Sequence, residues 1–219
     1  KKTGYNFFYK NEVIKPALIG MLGSWISGGI EFNWPYHHRA STMLPSDYEI
    51  VKEDGGCSLM IVTKGLCADP EMARMVADHP AVEFMADSRV ANIKTYAAED
   101  RAKGKKTVLL RLPMACETAE VVKYVDLSFN SELATIRLLN EEAGKIGVKH
   151  NILLMIDMGD LREGIFYQNE DQIFSAVAEI LTMPNINLYG VGVNLTCYGA
   201  IIPKQDNLGG LAAIARKIE

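Results

Sequence analysis

The chain has 219 residues, 48% of them hydrophobic and 23% charged. That composition excludes a disordered or fibrous chain and suffices for a substantial core. The formal net charge of -4 at pH 7 and a pI near 5.7 speak against nucleic acid as the main partner.

Residues 1–56 hold both tryptophans, Trp25 and Trp34, the pair His37-His38 and the pair Gly28-Gly29, with no strand–helix rhythm. The elements readable there are a helix over 12–22 and a strand over 48–52. The apolar stretch 17–30 is interrupted by glycines and serines and is too short to span a bilayer. No secretory leader is read, so the chain is expected in the cytoplasm and away from membranes. Adjacent histidines on a strand point to opposite faces, and no metal site is expected from His37-His38. The four cysteines, Cys57, Cys67, Cys116 and Cys197, form no CxxC pair. Three of them lie in or beside apolar runs, which suits reduced thiols rather than a structural zinc.

From residue 57 onward strand and helix alternate. Continuous apolar runs predict strands over 58–63, 82–86, 107–111, 125–129, 152–157 and 188–193. Such runs are the pattern of parallel strands buried on both faces. Helices are predicted over 70–78, 89–103, 117–124, 132–146, 171–183 and 207–218. Asp69-Pro70 is a helix cap followed by proline in the first turn, Ser88 and Ser131 are further candidate caps, and Gly104 and Gly147 suit helix ends. Six βα units in series predict a parallel α/β domain over 57–219, with 1–56 unassigned. Six units do not close an eight-stranded barrel. Either two strands come from 1–56, or the chain is part of a longer protein.

In such sheets the loops at the strands' C-terminal ends build the site. The residues there include Lys64, Asp69, Asp87, Asp157, Asp160, Arg162, Asn194, Cys197 and Tyr198. Lys64 ends the run Leu59-Met-Ile-Val-Thr63 and is followed by Gly65. A lysine beside apolar surface loses solvation of its charged form, and the free amine can then form a Schiff base with a carbonyl compound, pyridoxal phosphate (PLP) included. Plainer readings stand beside these. Lys64 could be a surface lysine closing a strand, Asp157 the cap of the turn 157–160, and Cys197 a small buried hydrophobe. Arg162 could pair with Asp160 or Glu163 in solvent, where a pair contributes little.

The motifs Val62-Thr-Lys64-Gly65, Ala86-Asp87-Ser88-Arg89, Leu110-Arg111-Leu-Pro113-Met114, Phe129-Asn130-Ser131-Glu132, Met155-Ile-Asp157-Met-Gly-Asp160-Leu-Arg162-Glu-Gly164 and Gly192-Val-Asn194-Leu-Thr-Cys197-Tyr198-Gly199 together resemble the amino-acid racemases with an alanine-racemase-type N-terminal barrel. The ornithine racemase-like branch fits best, and the resemblance runs from about 56 to 219. It implies a fold-type III PLP enzyme on a parallel (β/α) barrel of TIM type, incomplete in this chain. Lys64 would hold PLP as an internal aldimine and act as catalytic base on one face of Cα. Arg162 and Asn194 would lie against the cofactor. Asp157, Cys197 and Tyr198 are the candidates for substrate contact. The implied reaction is racemisation of a free amino acid, ornithine or another basic one, in a homodimer whose partner completes the site. Asp69, Asp87, Asp157 or Asp160 would meet a distal ammonium. Ile26-Ser-Gly-Gly29 resembles a glycine-rich phosphate segment that falls late in the family's chains. The other readings are a PLP-binding protein without turnover, a Schiff-base aldolase or lyase without PLP, and a non-enzymatic subunit.

Overall fold

The computed structural model describes residues 5–10, 13–20, 58–80, 82–195, 201–202 and 204–219. Two strands come from the N-terminal stretch, β1 (Tyr5–Lys10) and β2 (Val13–Gly20), paired antiparallel. The helix expected over 12–22 is therefore a strand. Pro16 lies in its middle, where a helix would lose a hydrogen bond and clash with the preceding turn. A sheet edge tolerates the missing N–H, and β2 is at the edge. The strand expected over 48–52 and the segment around His37-His38 fall outside the described residues.

The remaining strands are β3 (Leu59–Val62), β4 (Val82–Asp87), β5 (Lys106–Leu109), β6 (Leu127–Asn130), β7 (His150–Asp157), β8 (Ile165–Phe166) and β9 (Ile186–Asn194). Between and after them run α1 (Pro70–Ala77), α2 (Val90–Ala102), α3 (Thr118–Tyr124), α4 (Leu133–Ile146), α5 (Glu170–Leu181) and α6 (Gln205–Ile218). All six predicted βα units are present, with ends moved by a residue or two. Strand order is β2-β1-β9-β7-β6-β5-β4-β3, with β8 beside β7. β3 to β9 pair parallel, and β1 joins β9 antiparallel. β2 lies against β3, but among the described residues no ladder joins them, so hydrogen bonds between these residues do not close the ring of strands.

Two apolar layers follow from the alternation of side chains along each strand. Met60, Val62, Phe84, Ala86, Val108, Leu110, Leu127, Phe129, Leu153 and Met155 fill the inner face. Ile61, Met85, Leu109, Ile152, Leu154 and Ile156 point outward onto helix residues such as Ile93, Ile136, Leu139 and Ile173. Each large side chain so buried stabilises the fold by about 1.5–3 kcal/mol.

Asp69 caps α1 as expected, its carboxylate accepting from Glu71 N and Met72 N. Gly147 ends α4 in the left-handed conformation, and Gly104 follows α2 at φ +74°. Ser88 and Ser131 do not cap. The cap residues are Arg89 and Glu132, without side-chain bonds; at the start of α2 the carboxylate of Asp87 accepts from the Arg89 N–H at 2.9 Å.

Buried polar side chains also lie inside this framework. Ser128 Oγ accepts from Asn130 Nδ2 at 2.9 Å and meets His150 Nε2 at 2.8 Å. Burial pushes His150 down to about 4, so its ring is neutral at pH 7. Asp100, 1% exposed, has an unpartnered Oδ2 and is pushed up to about 6 by burial. Among the described residues no helix is long and apolar enough to cross a membrane.

Candidate active site

β3 delivers Lys64 to the C-terminal rim. Met60 and Val62 face inward; Thr63 then leaves the extended conformation (φ -90°, ψ -8°), and Lys64 follows half-buried at the start of the 3-10 turn Lys64–Leu66, near enough to the loop after β7 for its charge to act on Glu163. Cys67 at φ 50° and Ala68 at φ 53° then turn the chain through the left-handed region, at a cost of order 1 kcal/mol each. This sharp exit separates Lys64 from α1.

Thr63, wholly buried, anchors the strand end behind Lys64. Its N–H donates to Ala86 O at 2.8 Å and its hydroxyl to Asp87 Oδ2 at 2.8 Å. Thr63 Oγ1 is then left to accept from the Tyr96 hydroxyl, 3.2 Å away. Asp87 Oδ1 accepts from Arg89 N and from Asn92 Nδ2. Burial holds Tyr96 far above the ordinary tyrosine range, so it serves this network as a neutral phenol.

The loop after β7 is tightly wound. Asp157 follows Leu153 and Met155 on the inner alternation. Its Oδ1 accepts from Gly159 N at 2.8 Å and Leu161 N at 3.1 Å, which is the turn-capping role foreseen for it. The chain then returns to the sheet: Ile165 pairs with Ile156 and Phe166 with Asp157, and Tyr167 N donates to Asp157 O at 3.0 Å. Gly164 makes the return, at φ +118°. A Cβ there would lie 2.6 Å from Asp157 N and 2.8 Å from Ile156 C.

This return buries acids that the plainer reading of the sequence left in solvent. Asp160 is 2% exposed and the Glu163 side chain 10%. Neither Asp160 oxygen accepts a hydrogen bond, nor does Glu163 Oε1. Arg162 Nε stands 3.9 Å from Glu163 Oε1, its side chain 30% exposed. Burial pushes the Glu163 carboxyl above its ordinary value, against the opposing pull of Arg162 and Lys64. Glu163 is the site residue that sequence reasoning missed. Its signal was the apolar pair Ile165-Phe166 directly after Gly164, too short to be read as a strand.

Beside this loop, on the neighbouring strand, β9 ends at Asn194, 5% exposed, whose Nδ2 donates to nothing. Gly190 and Gly192 stand beside Leu153 and Met155, so β9 places no side chain on the inner face at these two levels. Asn130 Oδ1 is likewise unpartnered. Arg111 braces the rim, donating to Ser88 O, Leu112 O and the Glu117 carboxylate. Cys197 and Tyr198 fall outside the described residues. The rim thus combines an amine, a guanidinium, an unused amide donor and unused carboxylate oxygens.

A family model described as "Alanine racemase, N-terminal domain" matches residues 48–218, and one described as "Domain of unknown function (DUF5107)" matches residues 1–73. Ornithine racemase of Acetoanaerobium sticklandii is 44% identical over 168 residues, which are 76% of this chain and 45% of that protein. Lysine racemase of Thermotoga maritima is 32% identical over 167 residues, 75% of this chain and 44% of that protein. The chain therefore spans less than half the length of these curated relatives. Among solved structures, alanine racemase from Corynebacterium glutamicum superposes with TM-score 0.56 at 21% identity, covering 79% of this chain and 49% of that one. PipY of Synechococcus elongatus with PLP bound gives 0.54 at 15% identity, covering 74% of both chains. At these identities the likeness is one of fold.

Proposed function

Because this chain belongs to the alanine racemase N-terminal domain family, we propose that it carries the cofactor lysine of a PLP-dependent racemase of a free amino acid. The observation that carries this reading is the rim geometry around Lys64. A half-buried amine stands at the C-terminal end of β3, and at the end of β9 Asn194 Nδ2 has no partner. These groups fit PLP. Its aldehyde needs a lysine amine, its ring oxygen is an acceptor for an amide N–H, and its anionic charge suits Arg162. The inner face beside Leu153 and Met155, where β9 places only Gly190 and Gly192, suits a flat ring. We assign the cofactor-binding domain to 57–219.

PLP, when bound, supplies the electron sink that makes a Cα proton removable. Lys64 binds the cofactor and moves the proton on one face of Cα. Asn194 and Arg162 orient the ring. The Thr63–Asp87–Tyr96 network fixes the strand end that carries Lys64. Racemisation also needs a proton carrier on the other face, which we place in a homodimer. A basic substrate, ornithine or a homologue, is supported by the names of the two curated relatives, ornithine racemase and lysine racemase. The free, exposed Cys67 and Cys116 suit a reducing compartment, the cytoplasm.

The test is an absorbance spectrum of the purified chain with PLP, then borohydride reduction and peptide mapping, then loss of optical activity of L-ornithine. A pyridoxyl group fixed on Lys64 with turnover supports the reading. Capture without turnover makes this a PLP-binding chain, and no capture by folded protein refutes the assignment.

A further inference from the structure

Four aspartates of the rim were candidates to meet a substrate's distal ammonium, and the structure separates them. Asp69 Oδ1 accepts from Glu71 N and Met72 N as the cap of α1. Asp87 uses both oxygens, on Thr63, Arg89 and Asn92. Asp157 Oδ1 holds its own turn through Gly159 and Leu161. Asp160 alone of the four is 2% exposed with both oxygens accepting nothing. Buried carboxylates are normally hydrogen-bonded or paired, so this one has the character of half an interaction.

The surroundings say what the other half is. Glu163 lies beside Asp160, its Oε1 also without a hydrogen bond. Its charge interacts with Asp160, Arg162 and Lys64 alike. β7 and β3 are separated by β6, β5 and β4 along the sheet, so the β7 loop and Lys64 face each other across the mouth. Arg162 stands toward Glu163 and makes no ion pair with Asp160. A hard divalent cation would need many more oxygens, and among the described residues no three acids, histidines or cysteines converge. An organic ammonium, which needs only a few acceptors, fits the pair.

Resting on the racemase reading, we infer that Asp160, seconded by Glu163, receives the side-chain ammonium of a basic amino acid whose α-carbon is held at Lys64. The β7 loop is then the specificity element, and Asp157 is the positioning residue that winds it.

The test compares L-ornithine with L-norvaline, which differs by lacking the terminal amine. Both are titrated by calorimetry into the PLP-loaded chain, as wild type, Asp160→Asn and Glu163→Gln. The wild type is expected to prefer ornithine by at least about 10-fold, a gap of ~1.4 kcal/mol. Asp160→Asn is expected to bring the two ligands within about 2-fold, and Glu163→Gln to reduce the gap by a smaller factor. Pyridoxyl fixed on Lys64 is mapped in the same samples. Capture on Lys64 with an unchanged ornithine preference in Asp160→Asn overturns the assignment of Asp160 and leaves the racemase reading standing. Absence of capture in the wild type overturns both.

Discussion

Replacing Gly164 by alanine tests whether the β7 loop is wound as described. Gly164 has φ +118°, a conformation that costs an L-residue roughly 1–3 kcal/mol. The added Cβ would also lie 2.6 Å from Asp157 N, 2.8 Å from Ile156 C and 2.9 Å from Met155 O. All three are backbone atoms of β7, which is held by β6 on one side and β9 on the other, so they cannot retreat. Overpacking of this kind costs about 1–3 kcal/mol. Together the two effects predict a loss of about 3 kcal/mol, or a fall in Tm of roughly 6–12 °C for a domain of this size. The loop can limit the loss only by giving up the Ile165–Ile156 and Phe166–Asp157 pairing, which would expose Glu163. Gly159→Ala is the control: its φ is +111°, but nothing lies within 4 Å of its added Cβ. It should cost only the backbone part, about 1–2 kcal/mol. Urea and thermal unfolding followed by circular dichroism measure both. Equal losses in the two variants, or a Gly164→Ala Tm within about 1 °C of the parent, would refute the reasoning.

Asp100 holds its proton more tightly folded than unfolded, being pushed up to about 6, so its contribution to stability falls as pH rises from about 4 to 6. Asp100→Asn should therefore exceed the parent by about 1–3 kcal/mol at pH 8, and equal urea midpoints there would count against it. His150 is pushed down to about 4, so the unfolded chain binds the extra proton and stability is lost as pH falls from 6.5 toward 4. His150→Gln should flatten that acid slope, and an unchanged slope would show that the ring is not held neutral. Lys64→Ala should abolish the borohydride-fixed pyridoxyl group, whereas a reducible adduct on another lysine would move the site. Arg162→Ala should shift the visible band of the PLP-loaded chain without lowering its melting temperature, and an unshifted band would return Arg162 to a solvent role.

The βα units were readable because strands buried on both faces are unbroken apolar runs, and Asp69-Pro70 announces α1 unambiguously. Ser88 was expected to cap α2, but the helix starts a residue later, with Arg89 at the cap position and no side-chain bond, while Asp87 accepts from the Arg89 N–H at the strand end. Pro16 carried a signal against the helix over 12–22, but the partner that makes it a strand is β1. The facing of Asn194 was not readable by counting. Leu188, Val191 and Val193 all pack outward, which breaks strict alternation, and the register slips between Ile152 and Leu153 of β7 opposite that segment of β9. That irregularity turns Gly190, Gly192 and Asn194 toward the interior. Lys64, Arg162 and Asn194 were visible as residue types at strand ends; the burial of Asp160 and Glu163 depends on a two-residue strand with no period to detect.

The antiparallel seam between β1 and β9 has a consequence for how the chain reaches this shape. β4, β5, β6 and β7 each pair with the strand before them in sequence and can assemble in order as they leave the ribosome. Phe7, by contrast, pairs with Val193, so β1 waits for β9, far later in the chain. Long-separation contacts are slow to form because loop-closure entropy precedes their reward. The hairpin should dock after the parallel strands are in place. Until it does, β9 presents an open edge to other nascent chains.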